Sequence, residues 1–259
     1  FTTHSTVVLE ELASKAGHQI GDGTSDIEIA YLTDASKKLK VKQNPSWHTM
    51  ANDLFVRGPG GQPPRVGVFS EDAEARWLMN EIIETCRPDL ISRVKFIEAP
   101  FGCDTLIHLY IHDYFYMRDR IVVFDGDVSE KNIEKIPEKF RNEGKNIVKL
   151  PGSVRPEQII WNYLENADEN DPVWDSLDQY GYTWKSITEN GPSTFAGKTK
   201  RNQYKSWLRA CENDFHFAKV IGCWIDANPN EAQVFIEQFV NAYNKVAQRT
   251  SVDPISISK

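Results

Sequence analysis

The sequence has little of what marks the specialised protein classes. Its four cysteines, Cys86, Cys103, Cys211 and Cys223, include no C-x-x-C pair, which argues against a zinc module and against the disulfide scaffold of a small secreted domain. A reducing cytoplasm fits that usage. No apolar run approaches the roughly 18 residues that cross a bilayer, so no membrane partner is expected, and the N-terminus lacks the basic-then-apolar layout of a signal peptide. Positive charge is not in surplus either: 30 Lys plus Arg stand against 37 Asp plus Glu, a formal net charge of −7. Contact with nucleic acid would have to come from local basic patches rather than bulk attraction. No internal repeat is visible. The chain opens on Phe1 and not on Met, in residues that read as a strand running into a helix; the expectation is a piece of a longer protein.

What is present is an ordinary globular composition, 259 residues of which 26% are charged and 40% hydrophobic, enough for one large domain or two ordinary ones. A polar TTHS turn at Thr2 to Ser5 precedes apolar residues at Val7, Val8, Leu9, Leu12 and Ala16, the spacing of a short amphipathic helix. Residues 26–32 alternate as a strand does, and the basic KKLKVK at 37–42 suits an exposed strand edge. GPGGQPP at 58–64 is the clearest boundary.

Beyond it, apolar runs alternate with helical spacing. Val66 to Phe69, Val94 to Ile97, Ile121 to Phe124 and Asn146 to Leu150 read as strands. Between them, Asp72 to Cys86 reads as one helix, and a second is capped by Asp104 and carries Leu106, Ile107, Tyr110, Ile111 and Phe115. A further helix begins near Pro156. This pattern implies an α/β fold, a parallel sheet covered on both faces. After residue 165 the signal is mainly helical, ending in an amphipathic stretch from Glu231 to Arg249 suited to core packing or to a second subunit.

The chemistry lies at the strand ends. Glu71 and Asp72 follow the first strand, and Asp125-Gly126-Asp127 follows the third. If those strands are neighbours, three or four carboxylates share one crevice, because strands lie about 5 Å apart. Like charges that close raise one another's pKa unless a cation neutralises them. Mg²⁺ or Mn²⁺, hard ions that prefer oxygen, are the natural occupants, with Gly126 allowing the turn that faces both aspartates to the ion.

The order VGVFSED, a helix opening at Gly102-Cys103-Asp104, and IVVFDGD resembles the Toprim domain shared by topoisomerases, primases and certain nucleases. Glu71 matches its glutamate, and Asp125 and Asp127 match its D-x-D pair. The E-D-x-x-A form of the first motif, with Leu150-Pro-Gly and Pro156-Glu157 after the fourth strand, is similar to nucleases that fuse an ABC-type ATPase to Toprim. These are the overcoming-lysogenisation-defect family and its relatives in retron and other phage-defence systems. The likeness covers roughly residues 65–165. It implies a Rossmann-like Toprim sheet and makes Glu71, Asp125 and Asp127 ligands of one ion, with Glu157 and either Asp72 or Glu74 serving a second. Ala75 stands where many members carry an acidic residue, which leaves the second ion open. It also implies that the TTHS histidine, His4, is a switch residue touching ATP in an ATPase domain whose phosphate-binding loop this chain lacks, and that Lys205 stands near the scissile phosphate.

The basic stretch from Lys198 through Lys200, Arg201 and Lys205 to Arg209 is the candidate for holding a phosphate backbone, with Tyr204 or Trp207 available to stack on a base. Its alternative is a solvated face paired with the acidic stretch 165–178. His108 and His112, four apart, have the spacing of a zinc pair without a third ligand and read as ordinary histidines. The expectation is therefore an ATPase remnant over 1–60, a Toprim domain over 61–165 and a helical region over 166–259. The expected activity is metal-dependent DNA nicking or cleavage in anti-phage defence. RNA cleavage, nucleotidyl transfer and a non-catalytic assembly module are the alternatives. Homo-oligomers and a retron RNA or reverse-transcriptase partner are implied by the resemblance alone.

Overall fold

The computed structural model describes residues 29–33, 40–43, 50, 65–98, 101–197, 199–212, 217–250 and 252–256. His4, the helix expected over 7–16, the 58–64 boundary and Lys198 lie outside the described residues. Strands β1 (Ala30–Thr33) and β2 (Lys40–Gln43) pair antiparallel, with exposed Leu32 opposite exposed Val41.

The main sheet consists of β3 (Val66–Ser70), β4 (Val94–Phe96), β5 (Ile121–Phe124) and β6 (Ile147–Lys149), all parallel, in the order β4-β3-β5-β6. The chain moves outward from β3 to β4, then returns to the other side of β3 to form β5. The first and third strands of the pattern are neighbours, with Ser70 opposite Val123. Such a reversal is a topological switch point, where a crevice opens beyond the carboxyl ends of the two strands.

Both faces of the sheet are covered, which is why its strands read as unbroken apolar runs. Successive residues point to opposite sides. Val66, Val68, Ile121, Val123 and Val148 pack into one cluster with α1 (Ala73–Cys86), while Phe69, Val122 and Phe124 pack into another with α2 (Cys103–His112). In α1 the apolar stripe Leu78, Met79, Ile82 and Ile83 is buried, and Asp72 caps the helix by accepting from the Ala75 N–H at 2.9 Å.

Two expectations about the second helix are corrected. Gly102, not Asp104, is its N-cap; Asp104 falls in the first turn, where its charge suits the positive helix end, and pairs with Lys135 at 3.3 Å. The helix stops at His112, and Asp113 caps a separate turn, α3 (Tyr114–Met117). Phe115 thus leaves the expected stripe and is 71% exposed. After α4 (Glu130–Ile133) and α5 (Glu138–Gly144), the fourth strand starts one residue later than expected. Asn146 is buried as a polar junction instead, donating to the Met117 carbonyl at 2.8 Å and accepting from the Tyr110 hydroxyl.

The remaining described elements are helical, chiefly α6 (Pro156–Asn166), α7 (Pro172–Asp178), α8 (Trp184–Glu189), α9 (Lys200–Glu212), α10 (Phe217–Ala227) and α11 (Pro229–Thr250). The stripe of α11, including Phe235, Phe239, Val240, Tyr243 and Val246, joins the α1 cluster. Its face is therefore core, and that core runs unbroken across residue 165. No described helix is long and apolar enough to cross a membrane.

Phe239 is fully buried in that shared cluster. Phe239→Ala should cost about 3–5 kcal/mol. Urea unfolding followed by far-UV circular dichroism and by tryptophan fluorescence should move together to lower denaturant as one transition; two separated transitions would mean that the sheet and the C-terminal helices fold independently.

Candidate metal centre

Glu71 and Asp125 are the first residues beyond the carboxyl ends of β3 and β5. Because those strands are paired, the Glu71 side chain reaches across and accepts the Asp125 main-chain N–H at 3.0 Å, continuing the ladder with a carboxylate. Burial pushes the Glu71 carboxyl above its ordinary range; the Asp125 N–H favours its charge, and Asp127 and Asp72 oppose it. Asp125 is 1% exposed and its Oδ1 has no hydrogen-bond partner. Burial first, then the charges of Glu71, Asp72, Asp127 and Glu157, push its pKa up to about 8.

Gly126 holds the aspartates in place for a reason other than the expected one. Its φ is not left-handed. A Cβ there would stand 2.7 Å from the Gly152 carbonyl oxygen, 2.8 Å from that of Pro151 and 3.0 Å from that of Val154. The requirement is close approach of two backbones, which brings the loop after β6 and the start of α6 against the Asp125–Asp127 turn. That packing delivers Glu157, in the first turn of α6, and Arg155, just before it. Glu157 is 1% exposed, and neither of its carboxylate oxygens has a hydrogen-bond partner. Burial raises its pKa; its own main-chain N–H and Lys205 pull the other way, the N–H without reaching hydrogen-bond geometry. Arg155 binds Asp127, Nε to Oδ2 at 3.0 Å.

On the other side of the crevice, α9 presents Arg201, Lys205 and Arg209 at spacings of four, one face of a helix. They clasp the N-terminus of α1. Lys205 Nζ bridges Asp72 Oδ2 at 2.5 Å and Glu74 Oε2 at 3.1 Å, Arg209 reaches Glu74 Oε1 at 2.9 Å, and Arg201 lies 3.6 Å from Asp72 Oδ2. For Asp72, burial disfavours ionisation, but the Lys205 hydrogen bond, the Ala75 N–H and the charges of Lys205 and Arg201 outweigh it and hold the carboxyl below its ordinary range.

The structure thus joins Glu71 to Asp125 and brings Asp127 and Glu157 near enough for their charges to act on Asp125, with Glu71 and Asp127 lining the crevice and Asp72, Lys205, Arg201 and Arg209 clustered at the start of α1. The basic residues pair with Asp72 and Glu74, not with the acidic stretch at 165–178 that the sequence suggested as their alternative partner. Lys200 is exposed. Trp207 cannot stack on a base: it is 1% exposed and packs edge-on against Trp161 with ring centroids 5.2 Å apart. His108 and His112 are exposed on α2, their ring centroids 6.0 Å apart. Arg155 was missed, although it is the sole basic residue from 150 to 165; so was the spacing of four that sets Arg201, Lys205 and Arg209 on one face.

Among the described residues, no three His, Cys, Asp or Glu side chains are already gathered to close on an ion. Asp127 is turned to Arg155 and Asp72 to Lys205. The donor chemistry nonetheless fits a hard cation: Asp125 and Glu157 offer buried carboxylate oxygens that nothing in the protein satisfies. Glu71, Asp127, Arg155 and Arg201 line an adjoining cavity of about 360 Å³ with Cys103. Burial and the nearby Glu71 push the Cys103 thiol up to about 11, so it stays protonated. Compared with protein families, with curated proteins and with solved structures, the chain matches none.

Two outcomes follow from this geometry. Gly126→Ala should force the two loops apart, destabilise the fold by roughly 1–3 kcal/mol and weaken Mn²⁺ binding, read by calorimetric titration beside a melting curve. For Asp125, a carboxyl raised from 3.8 to about 8 contributes stability at low pH that is lost as pH rises through about 8. In chelator, Asp125→Asn should therefore gain thermal stability relative to the natural protein as pH rises from about 5 to about 9, by about 5 °C or more. Parallel melting curves over that range would show that Asp125 is ordinary.

Proposed function

We propose that the chain carries a Mg²⁺- or Mn²⁺-dependent endonuclease centre that nicks or cleaves DNA, as the effector part of an ATPase–nuclease of the Toprim kind used in phage defence. One observation carries the reading: buried Asp125 and Glu157 present unsatisfied carboxylate oxygens at a switch-point crevice beside Glu71 and Asp127. That is a costly arrangement without a cation. The order of the Toprim-like motifs adds the reaction class.

Glu71, Asp125 and Asp127 are the residues to hold the ion, with Glu157 adjoining. When bound, such an ion supplies positive charge to a phosphodiester transition state and lowers the pKa of water. The chain's own groups do the remainder. The Asp125 N–H fixes Glu71 before any substrate arrives, so that carboxylate needs no reorganisation. Arg155 holds Asp127 in reserve, and its guanidinium becomes free for a phosphate when Asp127 turns elsewhere. Lys205, oriented by Asp72 and Glu74, would serve to stabilise the leaving oxygen. Lys200, Arg201 and Arg209 extend the positive wall along α9, a local basic patch on an acidic protein.

The test is incubation of the complete protein with supercoiled plasmid, with and without Mg²⁺ or Mn²⁺. Nicked or linear product should form only with metal, and Asp125→Asn should lower the rate by a factor on the order of 10² or more while still folding and melting in one cooperative transition. Metal-independent cleavage, or unchanged cleavage by Asp125→Asn, would overturn the reading. Matched digests of RNA decide the polynucleotide.

A further inference from the structure

Two pairs of acidic residues around the crevice have opposite partners. Asp125 Oδ1 and both Glu157 oxygens are buried and unpartnered. Asp72 and Glu74 are fully engaged by the protein itself. Asp72 Oδ1 accepts from the Ala75 N–H and its Oδ2 from Lys205, while Glu74 gives one oxygen to Lys205 and the other to Arg209. Lys205 is itself well shielded from solvent, and it is held by two carboxylates at the mouth of α1.

A second divalent ion would have to gather its ligands on that side. It would need oxygens from Asp72 or Glu74, and to obtain them it must displace an ammonium that already bridges both. Ala75, fully buried in the core cluster at the start of α1, offers no oxygen to such an ion.

We infer that the site takes a single divalent ion, at Glu71, Asp125 and Asp127, and that the Lys205 ammonium stands permanently where a second ion would bind. This rests on the metal reading proposed above. On the one-ion side Asp125 keeps a buried oxygen without a partner, and the Arg155–Asp127 pair is about a third exposed and free to exchange with water; on the Lys205 side every oxygen of Asp72 and Glu74 is taken, and the Lys205–Glu74 pair is largely shielded. Glu157 lies between the two sets: its carboxyl senses Lys205, Asp72 and Glu74, and its charge in turn acts on Asp125. Lys205 thereby supplies a fixed positive charge that needs no metal, and its position depends on Asp72 and Glu74.

The experiment counts ions. The full chain, stripped by chelation, is titrated with Mn²⁺ and the bound metal is quantified by electron paramagnetic resonance and calorimetry. The natural protein should bind one Mn²⁺ per chain. Lys205→Met, which keeps length and removes charge, should bind two, and Lys205→Met with Asp72→Asn should return to one. Lys205→Arg should stay at one. Two ions on the natural protein, or one on Lys205→Met, would overturn the inference. If Lys205→Met does not fold, the count on the natural protein decides alone. Zero ions on the natural protein removes the metal reading as well, and is distinguished by plasmid nicking that ignores Mn²⁺.

Discussion

Carboxylates buried against one another at the ends of two paired strands set the terms for this structure. Pairing β3 with β5 forces Glu71 and Asp125 to converge, and the Asp125 N–H taken by Glu71 makes that convergence part of the backbone ladder. The sheet cannot relieve the repulsion by moving the acids apart without giving up that bond. The charge must be answered by a proton, by cations of the chain or by a cation from solution.

The chain answers only part of it. The C-terminal region supplies Arg201, Lys205 and Arg209 from a single helix face and neutralises Asp72 and Glu74. The loop before α6 supplies Arg155 to Asp127. Asp125 and Glu157 receive no such partner. This division explains why the C-terminal helices are needed beyond their bulk: α9 turns its apolar side, Trp207 and Leu208, into the shared core and its basic side toward the start of α1. Packing and charge neutralisation are delivered by the same helix, so the α9 core contacts hold the cations in register with the acids.

The sheet was legible because its signal is local. Four short apolar runs separated by helical spacing have few folded solutions, and the crossover rules then place strand ends together. Glu71, Asp125 and Asp127 were legible for the same reason, each standing directly after a run. What escaped depended on tertiary packing. Trp207 has the look of an exposed aromatic among lysines and arginines, but the spacing of Tyr204, Trp207, Leu208 and Cys211 belongs to a buried face. Phe115 continued the periodicity of α2 on paper, while Asp113 ended that helix and started a new turn. Gly126 was read as a conformational need, and it is a steric one set by carbonyl oxygens some 25 residues further along the chain.

The partners of the basic stretch were the hardest to foresee, and the reason is physical. Charge pairing carries no sequence period across distant segments, and an exposed pair is worth little enough that either partner set would have been tolerated. Burial breaks the tie. Glu74 is buried at the N-terminus of α1, where the helix favours negative charge but removal from water opposes it, and a carboxylate there must find a cation. The residues at 165–178 sit on a more exposed surface and place no such demand on α9. Buried Glu74, together with Asp72 beside it, thus holds the lysine, and in doing so carries Lys205 to the edge of the crevice where Asp125 and Glu157 are left unmatched.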